Sequence, residues 1–229
     1  MHWISIGLIF IAVIHLALAI FVFYINPKNK INITFALGAL ALSAWVLLTS
    51  LFREASTVDM AVLMNQLKIM AGLLVVFFFQ LFTVFFPFQS KKIKIVPAIL
   101  LVVPVIGLLI AIPLFPGYIT DIVVKSGNNS VEVDKFFWAI YSFFFTLYLV
   151  LGLSRLFLKL KESAGFLRVQ LLALIIGFLI PGFLAWIFNI VLLFFDIFIF
   201  DSIGAYLSII FSIVVVYFVF FGGKKIYIR

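Results

Sequence analysis

The sequence predicts an all-α membrane protein, a bundle of seven transmembrane helices with its N-terminus outside and its C-terminus in the cytoplasm. Three observations predict it. With 67% apolar residues, 10% charged residues and a mean hydropathy of +1.39, the chain lies far from soluble domains. Its 31 phenylalanines are more than a water-soluble core of 229 residues can bury, so lipid must cover much of that surface. Seven apolar stretches are separated by polar loops whose charge alternates along the chain. Alternating strands of about ten residues with turn punctuation are missing, which sets a β-barrel aside.

The first span, residues 3–25, ends in the loop Asn26-Pro27-Lys28-Asn29-Lys30. Ala17-Leu18-Ala19 resembles a signal-cleavage site, but no basic residue precedes the apolar run and the run continues past it, which argues for a retained helix. Span two, 33–52, is rich in small residues (Gly38, Ala39, Ala41, Ser43, Ala44), which allow close helix approach and place it inside the bundle. Span three, 63–88, opens on Asn65, Gln66 and Lys68 and stops before Lys91, Lys92 and Lys94. Its roughly 24 residues from Leu63 to Phe86 rise about 36 Å, enough to cross the hydrocarbon with some tilt. Span four, 95–115, carries Pro97 in its first turn and Pro104 and Pro113 further in, where each removes a backbone donor and should kink the helix.

The longest loop follows, Pro116 to Asp134. It reads as two short strands about a Ser126-Gly127-Asn128-Asn129 turn, a hairpin able to act as a lid. Asn128-Asn129-Ser130 also fits a glycosylation acceptor, which matters only in a secretory pathway. Span five, 136–158, leads into a basic stretch with Arg155, Lys159, Lys161 and Arg168. Span six, 169–195, holds Gly177, Pro181, Gly182, Trp186 and Asn189, and a tight turn from Asp196 to Asp201 joins it to span seven, 202–221.

Charge checks this topology. With the N-terminus outside, the inner loops and tail hold Lys28, Lys30, Lys91, Lys92, Lys94, Arg155, Lys159, Lys161, Arg168, Lys224, Lys225 and Arg229, twelve of the 16 basic residues. Of the 8 acidic residues they hold only Glu162. The net charge of +8 is therefore a topology signal, with anionic lipid as its contact, and not a nucleic-acid footprint. The expected location is the cytoplasmic (inner) membrane of a prokaryote.

Span seven has no lysine for a retinal Schiff base. Asp-Arg-Tyr-like and Asn-Pro-x-x-Tyr-like signatures of eukaryotic G-protein-coupled receptors are missing too. Another pattern fits better. Asn32 and Phe35 open helix two, with Trp45 ten residues after Phe35; Phe85-Phe86-Pro87 closes helix three; Arg168-Val169-Gln170 opens helix six, followed by Gly177. In order and spacing these resemble the seven-transmembrane N-terminal sensor region of prokaryotic histidine kinases, over essentially the whole chain. The resemblance implies a ligand- or membrane-state sensor whose last helix drives a cytoplasmic output, working as a homodimer. The family usually continues into a PAS, dimerisation or kinase module, whereas this sequence ends at Arg229. Without a phospho-acceptor histidine or ATP lid it is expected to be either an excised or split-off sensor, with a separate kinase or other cytoplasmic output protein as partner, or a relative with another job.

Candidate ligand-binding residues cluster near the outer face. Asn65 and Lys68 share a helix face at i and i+3, as do Trp138 with Tyr141 and Trp186 with Asn189; helix seven adds Tyr206. An intramembrane charge is costly unless it lines a cavity or finds a partner, so an outward-opening pocket could bind a small polar or anionic ligand through Lys68. The competing reading has Lys68 snorkelling to the interface and Trp and Tyr forming an aromatic belt, the favoured place for Trp3 and Trp138. His15, near the midplane of helix one, is either a proton sensor or, more commonly, a neutral histidine bonded to a neighbouring helix. Gln80, Ser208 and Ser212 read as interhelical hydrogen-bonding groups.

No enzyme, cofactor or metal constellation is expected. Cysteine is absent, the two histidines share one helix, and no paired intramembrane acids occur. A small-solute transporter or channel is the alternative. Pro181-Gly182 and the prolines of span four resemble interrupted transporter helices, but no internal repeat or intramembrane acid supports coupling.

Overall fold

The computed structural model describes residues 2–88, 95–125, 129–195 and 202–221 of the chain. Its helices are α1 (Trp3–Ile25), α2 (Lys30–Glu54), α3 (Val58–Phe85), α4 (Ile95–Leu114), α5 (Lys135–Lys161) and α6 (Gly165–Trp186). A wider π-turn (Ile187–Val191) and one more helical turn (Leu192–Phe194) prolong α6. The last helix, α7 (Ile203–Val215), also finishes in a π-segment, Val216–Phe221. Six of these are long and apolar enough to cross a membrane, and α4 supplies a shorter apolar helix. The chain is a multi-pass helical membrane bundle.

Polar caps set where the helices begin. Asn29 accepts from the Ile31 N–H at 2.8 Å, Thr57 from Met60 at 3.3 Å and Asp134 from Phe137 at 2.8 Å. Each supplies an acceptor for an orphan N–H of the first turn. α3 accordingly starts at Val58 and not at Leu63, where apolar residues begin to dominate. Gly165, at φ 59°, turns the chain into α6 before Val169.

Packing runs α1 to α2, α2 to α3, α3 to α5, α5 to α6 and α6 to α7, and α1 meets α7 to close a ring of six helices. α2 and α3 are the most buried spans, 56% against 33% for α1, as the small residues of α2 lead one to expect. α4 lies outside this ring against α3. Pro104 and Pro113 sit within it, and the Tyr148 hydroxyl of α5 donates to the Leu101 carbonyl at 2.7 Å, in the turn that Pro104 disturbs. The bond anchors α4 to α5 one residue past the Leu100 carbonyl that Pro104 leaves without its intrahelical donor.

At one end of the bundle, β1 (Ile119–Val123) and β2 (Ser130–Val133) pair antiparallel, with Ile122 opposite Val131 and Val123 opposite Ser130. Along β2 the period of two buries Val131 and Val133 and exposes Glu132. Asn129 donates to the Phe52 and Ala55 carbonyls at 2.7 and 2.9 Å and accepts from the Lys125 N–H, which pins the ladder to the end of α2. At this end Glu54 also accepts from the His2 N–H and the Ser5 hydroxyl, joining α1 to α2. The turn residues Ser126 to Asn128, the basic loop with Lys91, Lys92 and Lys94, the Asp196–Asp201 turn and the tail after Phe221 lie outside the described residues.

Candidate ligand cavity

Between α2, α3, α5, α6, α7 and strand β2 lies a cavity of about 120 Å³. Leu42 and Trp45 line it from α2, Asn65, Lys68 and Gly72 from α3, Trp138 and Tyr141 from α5. Asn189 enters from the π-turn after α6, Gly204 and Ser208 from α7, and Val131 and Val133 from the ladder. Glycine makes two of these walls possible. A Cβ on Gly72 would meet the Tyr141 hydroxyl at 3.1 Å and Trp45 at 3.5 Å, and one on Gly204 would meet Asn189 Nδ2 at 2.5 Å and the Ala185 backbone at 3.1 Å.

Five of the seven residues singled out by sequence thus share one cavity: Asn65, Lys68, Trp138, Tyr141 and Asn189. Trp186 and Tyr206 do not line it. Trp186 donates to Thr146 of α5 at 2.8 Å, and Tyr206 donates to the Ile4 carbonyl of α1 at 3.0 Å. Both tie helices together. Tyr206 packs where Gly7 has no side chain, since a Cβ there would sit 2.5 Å from its hydroxyl.

Trp3 is 75% exposed, whereas Trp138, also read as a belt residue, is 4% exposed and turned into the bundle. Trp138 stacks on Tyr141, with ring centres 5.0 Å apart, and its indole donates to the Ile190 carbonyl. Tyr141 donates to the Ile69 carbonyl at 3.2 Å. Burial satisfied by backbone acceptors at both polar tips keeps these rings off the lipid interface. Lys68 is half-buried with Nζ 4.4 Å from the centre of the Phe52 ring, a cation–π contact.

Polar satisfaction is uneven. Asn189 donates to the Ala185 carbonyl of its own helix, and Ser208 bonds both the Ala205 carbonyl and His15. Asn65 is 1% exposed, and its side-chain nitrogen has no hydrogen-bond partner. A buried amide left this way costs about 1–3 kcal/mol, so it is an atom in need of an acceptor. Among the described lining residues Lys68 is the only charged one.

His15 lies elsewhere, wholly buried between α1 and α7. Its Nε2 meets Ser208 Oγ at 2.8 Å and its Nδ1 meets Ser212 Oγ at 2.9 Å. A neutral imidazole supplies one donor and one acceptor, which two hydroxyls can match, so the geometry fits the interhelical histidine better than the proton sensor. Gln80 accepts weakly from Thr83 at 3.3 Å, and its amide nitrogen has no partner.

Two contacts had no clear signal in the sequence. Lys159 donates to the carbonyls of Thr83, at 2.6 Å, and of Phe86, capping α3 at the Phe85-Phe86-Pro87 segment. Gln170 of α6 donates to the Phe218 carbonyl at 2.8 Å, in the π-segment that follows α7. Asn32 likewise donates to the Val22 carbonyl of α1 at 3.0 Å. Asn32 and Gln170, from two of the sequence patterns, together with Lys159 therefore bind helix ends together at the face opposite the β-ladder.

This is a multi-pass membrane protein with a largely apolar cavity toward the β-ladder end of the bundle. The family model described as the N-terminal 7TM region of histidine kinase matches residues 7–225, and the chain belongs to that family. The matched region is the sensor part of those proteins, without the kinase domain. No curated protein matches the chain.

Proposed function

We propose that this domain is the signal-input module of a membrane receptor, with the cavity as its ligand site and α7 as its output. The N-terminus and the β-ladder face outside, and the end bearing Lys28, Arg155, Lys159 and Lys161 faces the cytoplasm. The observation that carries this reading is the buried, unpartnered Asn65 amide in a cavity that gathers five sequence-predicted residues. Ligand contacts at Gly204 and Ser208 reach α7 directly. Further along, α7 is held to α1 by His15 and its continuation to α6 by Gln170. A ligand with higher affinity for one arrangement of α7 shifts the population toward it, and without that difference nothing is signalled. From the family we also infer pairing as a homodimer and a cytoplasmic kinase as the output.

Affinity isolation from cross-linked native membranes, read by mass spectrometry, tests the output. Recovery of histidine-kinase sequence with this domain is expected. Recovery of this domain alone would count against signalling and would move the work to a vesicle flux assay for transport.

A further inference from the structure

We infer that the cavity takes a compact, uncharged and largely apolar molecule bearing one carbonyl, which accepts a hydrogen bond from Asn65. This deepens the sensing-cavity reading and rests on it. The anchor is set by what is left over. Among the described lining residues Asn65 Nδ2 is the one buried polar side-chain atom without a hydrogen-bond partner, and it is a donor, so the matching ligand group is an acceptor. Tyr141, Trp138, Asn189 and Ser208 already donate to protein oxygens.

The same inventory selects against charge. Lys68 is already engaged, with its ammonium over the Phe52 ring, so an anion would have to draw it away from contacts it makes. No carboxylate lines the cavity among the described residues, so a cation would be buried unpaired.

The body is set by the walls. Apart from Asn65, Lys68, Asn189 and Ser208, the lining is aliphatic, aromatic or glycine. An adjoining void of about 30 Å³ shares Leu42, Val75 and Phe178, and its two hydroxyls are engaged, Thr34 with the Lys30 carbonyl and Ser212 with His15. Each further hydroxyl or amide on a ligand would be buried unpaired, whereas ring or methylene carbons lose nothing. An apolar void of about 150 Å³ holds benzene. The two voids here, about 120 and 30 Å³, are together of that order, which sets a ring-sized ligand.

The test uses the full chain in lipid nanodiscs and the quenching of Trp45 and Trp138, both in the cavity wall, by 4-bromoacetophenone. Two probes of the same shape accompany this ketone. In 4-bromo-α-methylstyrene a CH2 replaces the carbonyl oxygen, and in 4-bromobenzoate a carboxylate replaces the acetyl group. Each affinity is referred to the concentration dissolved in the disc, so that differences in hydrophobicity cancel. Saturable quenching by the ketone is expected, reversed by acetophenone and diminished in Trp45→Phe. The hydrocarbon and the benzoate should each bind about fivefold or more weakly than the ketone. Asn65→Leu should reduce the ketone's advantage over the hydrocarbon to about twofold or less, with the hydrocarbon's own affinity unchanged.

Equal affinity of ketone and hydrocarbon in the unsubstituted chain would overturn the carbonyl anchor, and so would a ketone advantage that survives in Asn65→Leu. If that variant does not fold, the comparison within the unsubstituted chain decides. Benzoate binding tighter than the ketone would overturn the uncharged assignment, and no saturation by any of the probes would overturn the ligand class outright. Hydrogen exchange in Ile203–Val215 keeps the underlying reading separate. If the ketone saturates and exchange there does not change, the ligand class stands and the output role of α7 fails. If the benzoate alone saturates and alters that exchange, the ligand class fails and the sensing cavity stands.

Discussion

Single side chains at the ends of this bundle hold backbone groups that helix geometry leaves open. Asn129 serves two carbonyls near the end of α2 and one N–H of its own loop. Asn129→Ala is expected to cost about 1–3 kcal/mol and to speed amide exchange in Ile119–Val133, measured by thermal melts and hydrogen exchange. Unchanged exchange there would show that something else pins the ladder. Lys159→Met should likewise loosen the end of α3, by about 2 kcal/mol, because its donors serve the carbonyls of the last turn. Outside the spans, burial pushes the Tyr118 phenol up from its ordinary value of 10.0. A group that holds its proton more tightly when folded contributes stability below its unfolded pKa and loses it as pH rises. Stability should therefore decline above roughly pH 10. Tyr118→Phe should flatten that decline in pH-dependent melts and cost little otherwise, since the hydroxyl is buried without a partner.

Among elements, α6 and α7 meet at a contact sensitive to volume. Gly204 lets Asn189 and the Ala185 backbone approach, so Gly204→Leu must push the two helices apart. We expect a loss of about 1–3 kcal/mol, from overpacking, and a weaker ligand response. The contrasting substitution is at Gly107, where a Cβ meets nothing within 4 Å. Gly107→Ala on α4 should be neutral or slightly stabilising in the same thermal assay, since it removes the entropic cost of a mid-helix glycine. Destabilisation there equal to that of Gly204→Leu would mean α4 is packed more tightly than its outer position implies.

For the whole molecule the open question is orientation. The sequence contains no cysteine, so single cysteines can report it without background. Exposed Glu132 of β2 and exposed Lys161 at the end of α5 lie at opposite ends of the bundle. In intact cells an impermeant maleimide should label Glu132→Cys and spare Lys161→Cys, with both labelled after lysis. The reverse pattern would invert the topology and place the cavity at the cytoplasmic face.

Seven apolar stretches and the sign of their loops were legible in the sequence, because bilayer thickness and charge placement act on each segment separately. The shared face of Asn65 and Lys68 was legible for the same reason, since i and i+3 spacing is a property of one helix. Which helix meets which was not. Trp138 and Trp3 look alike as interfacial tryptophans, yet Trp138 turns inward to the Ile190 carbonyl while Trp3 faces outward. Trp186 shares the i and i+3 spacing of the lining residues and Tyr206 stands near the same bundle end, yet both spend their donors on other helices. Only the closing of α1 onto α7 and the glycine-permitted approaches at Gly72 and Gly204 decided where empty space remained. Contacts between segments far apart in sequence depend on shape complementarity, which no local pattern encodes.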